Sequence, residues 1–187
     1  MMLLPTLAAC EDNFKPNNAN ENSPTSAAVS NPIPPLGTRV SLTITGYNYT
    51  DRYIDQFTVN GNGGGNLFVS GPTSGGGGSE CCKDYITGVD NWILPVRWQV
   101  GGCTYNTSKQ KDGRERYDLY HYFKEVEVKV DPKIAARPAY LEVHFYPDGH
   151  VELAVTEHSS PPRLKLSKDR EVKSSYKQCP NDKRPEE

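Results

Sequence analysis

Three short runs in the second half of the chain alternate apolar and polar residues with a period of two. Val126, Val128 and Val130 alternate with Glu125, Glu127 and Lys129, and Leu141, Val143 and Phe145 alternate with Glu142, His144 and Tyr146. After Pro147-Asp148-Gly149-His150 the pattern resumes at Val151, Leu153 and Val155. Successive strand side chains point to opposite faces, so this period fits a sheet and not a helix. Asp-Gly between two such runs is a strong hairpin signal. Arg39 to Thr45 alternates in the same way, and Tyr53 to Val59 and Ile93 to Val100 are further strand candidates, with Pro95 pointing to an edge or a bulge. No amphipathic helical stretch of a dozen residues occurs, although Asp131 to Pro138 has room for one helical turn. From Gly61 to Ser79, nine of 19 residues are glycine, which predicts a flexible loop with at most a short strand at Leu67 to Ser70. The expected fold is mainly β, an antiparallel sandwich or curled sheet of about six to eight strands.

Composition narrows the class. The 187 residues carry 21 Lys plus Arg and 23 Asp plus Glu, so a basic nucleic-acid stripe is not expected. Mean hydropathy is −0.68, and no apolar run approaches the ~18 residues of a spanning helix. The segment MMLLPTLAAC ends in Leu7-Ala8-Ala9-Cys10, the form of a bacterial lipobox, which makes Cys10 the expected lipidation site. It has no basic n-region and a short apolar stretch, as in a signal whose true start lies upstream. Residues 11–36 are rich in Asn, Pro, Ser and Ala and cannot bury enough surface to offset their ordering entropy. As a flexible tether they would span roughly 28 Å. The expected organisation is a signal over 1–10, a disordered tether over 11–36, a β-rich domain over 37–162 and a basic tail over 163–187. The tail holds eight basic and five acidic residues and reads as solvated. A lipid-anchored protein facing the periplasm follows.

Cysteine usage agrees with that compartment. Besides Cys10 there are four: Cys81, Cys82, Cys103 and Cys179. An even number in an oxidising space suggests two disulfides. Adjacent cysteines close a strained ring, so the favoured arrangement joins one of Cys81 and Cys82 to Cys103 and the other to Cys179, pinning the tail. Zinc is disfavoured, because paired C-x-x-C hairpins are missing and no His lies near the cluster.

Chemistry is sparse. Gly75 to Ser79 has glycines and a serine but no P-loop lysine, and none of Ser70, Ser74 and Ser79 has the flanks of a nucleophile elbow. His121, His144, His150 and His158 are scattered. His144 and His150 share a hairpin, but two histidines alone make a weak metal site, and solvent-facing strand histidines are the commoner case. No catalytic residue, metal or cofactor is expected. Aromatics cluster instead, at Tyr47, Tyr49 and Tyr53, around Trp92 and Trp98, and at Tyr117, Tyr120 and Tyr122. Tyr, Trp and Arg are enriched at interface hot spots. Tyr47, Tyr49 and Tyr53, with Asp51, Arg52 and Asp55, form the candidate partner-binding group, and they read equally well as core.

The stretch GYNYTDRYIDQFTVNG from Gly46 to Gly61, followed by the glycine run, Cys81-Cys82 and Trp98, resembles a family of proteobacterial lipoproteins known as a domain of unknown function. The likeness covers about Thr38 to Val100. Members of that family are often encoded beside type VI secretion phospholipase effectors, and some serve as immunity proteins. The resemblance therefore implies a non-enzymatic immunity lipoprotein whose partner is a cognate phospholipase effector, with the membrane reached through the lipid anchor. The alternative is a structural or accessory envelope lipoprotein. No catalytic residue carries over from the family.

Overall fold

The computed structural model describes residues 32–186. Cys10 and most of the expected tether lie outside the described residues. Eight strands form the domain: β1 (Arg39–Asn48), β2 (Ile54–Val59), β3 (Asn62–Leu67), β4 (Ser79–Ile86), β5 (Ile93–Lys109), β6 (Glu115–Lys129), β7 (Tyr140–Phe145) and β8 (Val151–Thr156). They make two four-stranded sheets, ordered β4-β1-β7-β8 and β3-β2-β5-β6. The mainly β sandwich is as expected. One pair departs from antiparallel: β1 and β7 run parallel, with Thr45 beside Glu142 and Tyr47 beside His144. A parallel neighbour needs a long crossover, and here the whole second sheet lies between the two strands.

The core lies between the sheets. Leu42 and Ile44 from β1, Leu141, Val143 and Phe145 from β7 and Leu153 and Val155 from β8 face Phe57, Val59, Leu67, Val96 and Trp98. Each such side chain contributes about 1.5–3 kcal/mol by leaving water. Phe57 and Trp98 both pack on Phe145, with ring centroids 5.2 and 5.6 Å away.

The glycine run is more ordered than its composition suggests. Residues Asn62–Leu67 form β3, although three of the six are glycine. A Cβ on Gly64 would sit 2.0 Å from the Phe57 ring, so the missing side chain leaves room for an aromatic from the next strand. The turn from β2 into β3 is Asn60-Gly61, with φ +49° and +78°, the left-handed pair of a type I′ hairpin. Beyond it, Ser70 is buried, and its hydroxyl accepts from Asn48 N at 2.7 Å and donates to the Gly75 carbonyl. A flexible loop is thus replaced by a strand and a pinned turn.

Other differences have local causes. β4 has one buried residue, Tyr85, so its alternation is invisible in sequence. β5 and β6 extend well past their apolar cores as a two-stranded ribbon, because β5 pairs with β2 only from Val96 to Trp98. The predicted helical turn at Asp131 to Pro138 does not form. Arg137 precedes Pro138, which disfavours helical backbone there, and the segment instead lies along β8, with Asp131 N on Leu153 O and Ala139 N on Thr156 O.

The disulfide pairing is also a correction. Cys103 joins Cys179, with Cα atoms 4.9 Å apart, and Cys81 joins its neighbour Cys82. The topology accounts for this. Thr104 on β5 exchanges backbone bonds with Lys177 and Cys179, which lays the tail beside Cys103. Cys81 and Cys82 sit on β4 in the other sheet, opposite the register shift between Leu42 and Ile44, and reach only each other.

Gly64→Ala should destabilise the domain by about 1–3 kcal/mol through overpacking. Gly63→Ala, with nothing within 4 Å of its added Cβ, should be close to neutral. Urea denaturation of the two variants checks this contrast.

Candidate functional site

The outer face of the β1–β7 pair is buried rather than solvated. Tyr47 and Tyr49 are 1% exposed, and Glu142 and His144 are 0% exposed. His144, expected to face solvent, is therefore inside the protein. The parallel register stacks the Tyr47 ring on the His144 imidazole at 4.4 Å. The Tyr49 hydroxyl accepts a hydrogen bond from Arg163 N at 2.9 Å and lies 2.9 Å from His144 Nδ1. Its proton is then free for Nδ1, which makes Nδ1 the acceptor and leaves the imidazole hydrogen on Nε2. That nitrogen faces Glu142 Oε2 at 3.3 Å. The other carboxylate oxygen accepts from Ser160 N at 2.7 Å, while the Tyr47 hydroxyl donates to Ser160 O at 2.6 Å.

Electrostatics follow from this wiring. Burial pushes His144 below its ordinary value, against the opposing pull of Glu142. Burial would raise Glu142, but hydrogen bonds from His144 and from the backbone and side chain of Ser160 outweigh it and hold the carboxyl low. The pair is a neutral imidazole beside an ionised carboxylate. Tyr146 is pushed up to about 12 by burial and by its hydrogen bond to Glu152.

A carboxylate, an imidazole and a hydroxyl in sequence are the parts of a nucleophile relay. Sealed from solvent, this chain holds structure together. Its cover is residues 157–179, a strap whose part from Arg163 onward was expected to be a solvated tail. Arg163 pairs with Glu152. The Arg170 guanidinium donates to the carbonyls of Tyr49, Thr50 and Ser70 at 2.6, 2.8 and 2.8 Å. Lys173 meets Asp51 at 2.5 Å, and that hydrogen bond holds the Asp51 carboxyl low. Arg52 donates to Ser175 O at 2.8 Å and lies 4.7 Å above the Tyr176 ring. Cys179 then fastens the strap to β5.

Each member of the candidate partner-binding group has an internal role. Tyr47 and Tyr49 present no surface, and Asp51 and Arg52 grip the strap. Tyr53 packs on Phe68 at 5.0 Å, and Asp55 lies 3.6 Å from His121. Among the described residues, no group of three or more His, Cys, Asp or Glu could hold a metal ion, and no helix is long and apolar enough to cross a membrane.

Besides Phe68, which is 66% exposed, two exposed tyrosines lie elsewhere, on the β5–β6 ribbon. Tyr117 and Tyr122 are 46% and 41% exposed. Beside them runs a groove of about 680 Å³ whose lining includes Arg97, Tyr105, Tyr120, His121, Phe123 and Arg184. Arg97 sits 3.6 Å over the Phe123 ring, and Arg184 5.7 Å from that of Tyr120. The Tyr117, Tyr120 and Tyr122 cluster was visible in the sequence, but their place on one strand was not read from it.

A family model described as "Protein of unknown function (DUF3304)" matches residues 47–153. This chain belongs to that family. The DUF3304 match begins at Tyr47 and takes in Tyr49, Glu142, His144 and Glu152, so the buried network lies within it and the strap beyond it. No curated protein and no solved structure matches the chain.

The network should make the fold acid-sensitive. The unfolded chain takes up a proton on His144 near 6.5, which the folded chain resists, so stability falls as pH drops below that value. Glu142 adds a loss of the same sign below 4.5. Melting temperature should decline from about pH 7.5 to about pH 5, and His144→Gln, less stable at neutrality, should show a flatter profile over that range. Separately, the disulfide closes a separation of 76 residues, worth about 4.5 kcal/mol in the chain-entropy picture. Cys179→Ser should cost about 2–5 kcal/mol in urea denaturation, and limited trypsinolysis should cut the freed strap first.

Proposed function

We propose that this chain is a lipid-anchored, periplasm-facing immunity protein that binds a cognate type VI secretion phospholipase effector and neutralises it. The observation that supports the compartment most directly is the pairing of all four described cysteines in disulfides, the state favoured outside the cytosol. Cys10 is the proposed attachment point for the lipid. The resemblance of the Gly46 to Gly61 segment to a lipoprotein family of unknown function, some of whose members serve as immunity proteins, supports the choice of partner. A surface rich in Tyr, Phe and Arg, carried on a ribbon braced by Cys103–Cys179, supports binding to a protein. An anchor would confine the inhibitor to the membrane surface on which a phospholipase works, raising its effective concentration there.

Mixing the purified chain with the phospholipase encoded beside its gene should yield a stable complex by gel filtration and abolish phospholipid hydrolysis. Undiminished hydrolysis at excess chain would overturn the proposal. It would favour a structural or accessory envelope role instead.

A further inference from the structure

One end of the sandwich is apolar on its outside. β1 starts there and β4 ends there, since Arg39 pairs with Ile86, and β5 starts where β6 ends, since Ile93 pairs with Lys129. A cleft of about 400 Å³ lies at this end, with Tyr85 of one sheet and Lys129 of the other in its lining. Among the described residues eight large aliphatic side chains are exposed, and five of them belong to the segments that meet here: Ile33, Leu36, Ile86, Val89 and Ile93. The backbone holds these segments together. Gly37 N donates to Thr87 O and Val89 N to Ile86 O, and a Cβ on Gly88 would lie 2.9 Å from the Leu36 side chain. Leu36 itself is 85% exposed. Aliphatic residues gathered in solvent in this way mark an interaction surface.

The chain and its chemistry select a lipid surface as the occupant. The residues that precede the described chain, Cys10 among them, join the domain at this end through Ile33 and Leu36. Protein hot spots favour Trp, Tyr and Arg over Leu and Val, and the exposed tyrosines lie away from here on the ribbon. Trp92 lines the same cleft as Val89 and packs on Tyr85 at 5.0 Å. Tryptophan suits the boundary between water and lipid. The charges on these segments cancel, with Arg39, Lys129 and Lys133 set against Asp84, Asp90 and Asp131. Such an end needs no anionic headgroup. We infer that Ile33, Leu36, Ile86, Val89 and Ile93 rest in the surface of a phospholipid bilayer. From there β5 and β6 run outward to the turn where Lys109 pairs with Glu115, which carries the exposed tyrosines away from the lipid. The inference rests on the reading of this chain as lipid-anchored and says which end of the domain meets the membrane.

The test uses the full chain carrying Cys10→Ser, which holds no lipid, so that vesicle binding reports the protein surface alone. This chain should float with phosphatidylcholine vesicles, and brominated phosphatidylcholine should quench its tryptophan fluorescence. The quenching should vanish in Trp92→Phe, because Trp98 is buried in the core. Leu36→Asp should weaken binding several-fold, and Leu36→Asp with Val89→Asp at least tenfold. Val172→Asp, at an exposed aliphatic residue of the strap, should leave binding unchanged, and an unaltered melting temperature checks that each variant folds. Adding phosphatidylglycerol should change the affinity less than about twofold. No binding to vesicles, binding without quenching of Trp92, equal binding by the Leu36→Asp variant, or binding only to phosphatidylglycerol would overturn the inference. So would a dimer in gel filtration that Leu36→Asp dissolves, which would assign this end to a second copy of the chain. Lipidation of Cys10 is read separately, from the mass of the native protein. A phospholipase inhibited on a soluble substrate by a chain that does not bind vesicles removes the lipid-facing end and leaves the immunity reading. Vesicle binding through Trp92 with no phospholipase complex does the reverse.

Discussion

A carboxylate shut away from water must find every hydrogen bond inside the protein, and Glu142 is such a group. Its position on β7, parallel to β1, brings the tyrosines of β1 and His144 into one stacked layer. That layer still lacks donors and acceptors on its outer side. Ser160 and Arg163 provide them, so the chain must return across this face after β8. The strap is therefore a requirement of the buried charge. Removing one member of such a buried set typically costs about 3–5 kcal/mol, because what remains is left unpaired.

Once the strap is committed to the outer face of β1, its course carries it toward β5. Arg170, Lys173 and Ser175 take successive holds on the Tyr49–Arg52 segment, and Cys179 locks the end beside Cys103. The lock lies on the part of β5 that has lost β2 as a neighbour. A lone two-stranded ribbon is marginally stable, and the strap gives this one a third partial strand and a covalent brace. The brace covers the β5 edge where Thr104 bridges to Gln178.

Much of the sandwich was legible because its strands alternate cleanly. β1, β2, β7 and β8 each bury one apolar face, and the Asp148-Gly149 turn was read correctly. β3 was hidden by glycines that are there to admit Phe57, although Asn60-Gly61 carried a hairpin signal that went unused. The outer face of β7 was misjudged for a physical reason. Glu142 and His144 look like solvent-facing residues when only the strand is considered, and their burial depends on a segment some 20 residues further along. The adjacent Cys81 and Cys82 were disfavoured as a pair on local strain, while the pairing followed which strands lie side by side. The Tyr47 to Asp55 cluster was expected to meet a partner protein, whereas its tyrosines are largely buried and Asp51 and Arg52 hold residues 173–176.

The most direct measurement is a long-range proton–nitrogen spectrum of the His144 ring in the folded chain. The account requires Nδ1 bare and Nε2 protonated at neutral pH, with that form persisting as the solution is acidified toward pH 6. An imidazolium with both nitrogens protonated at neutral pH, or a hydrogen residing on Nδ1, would contradict it.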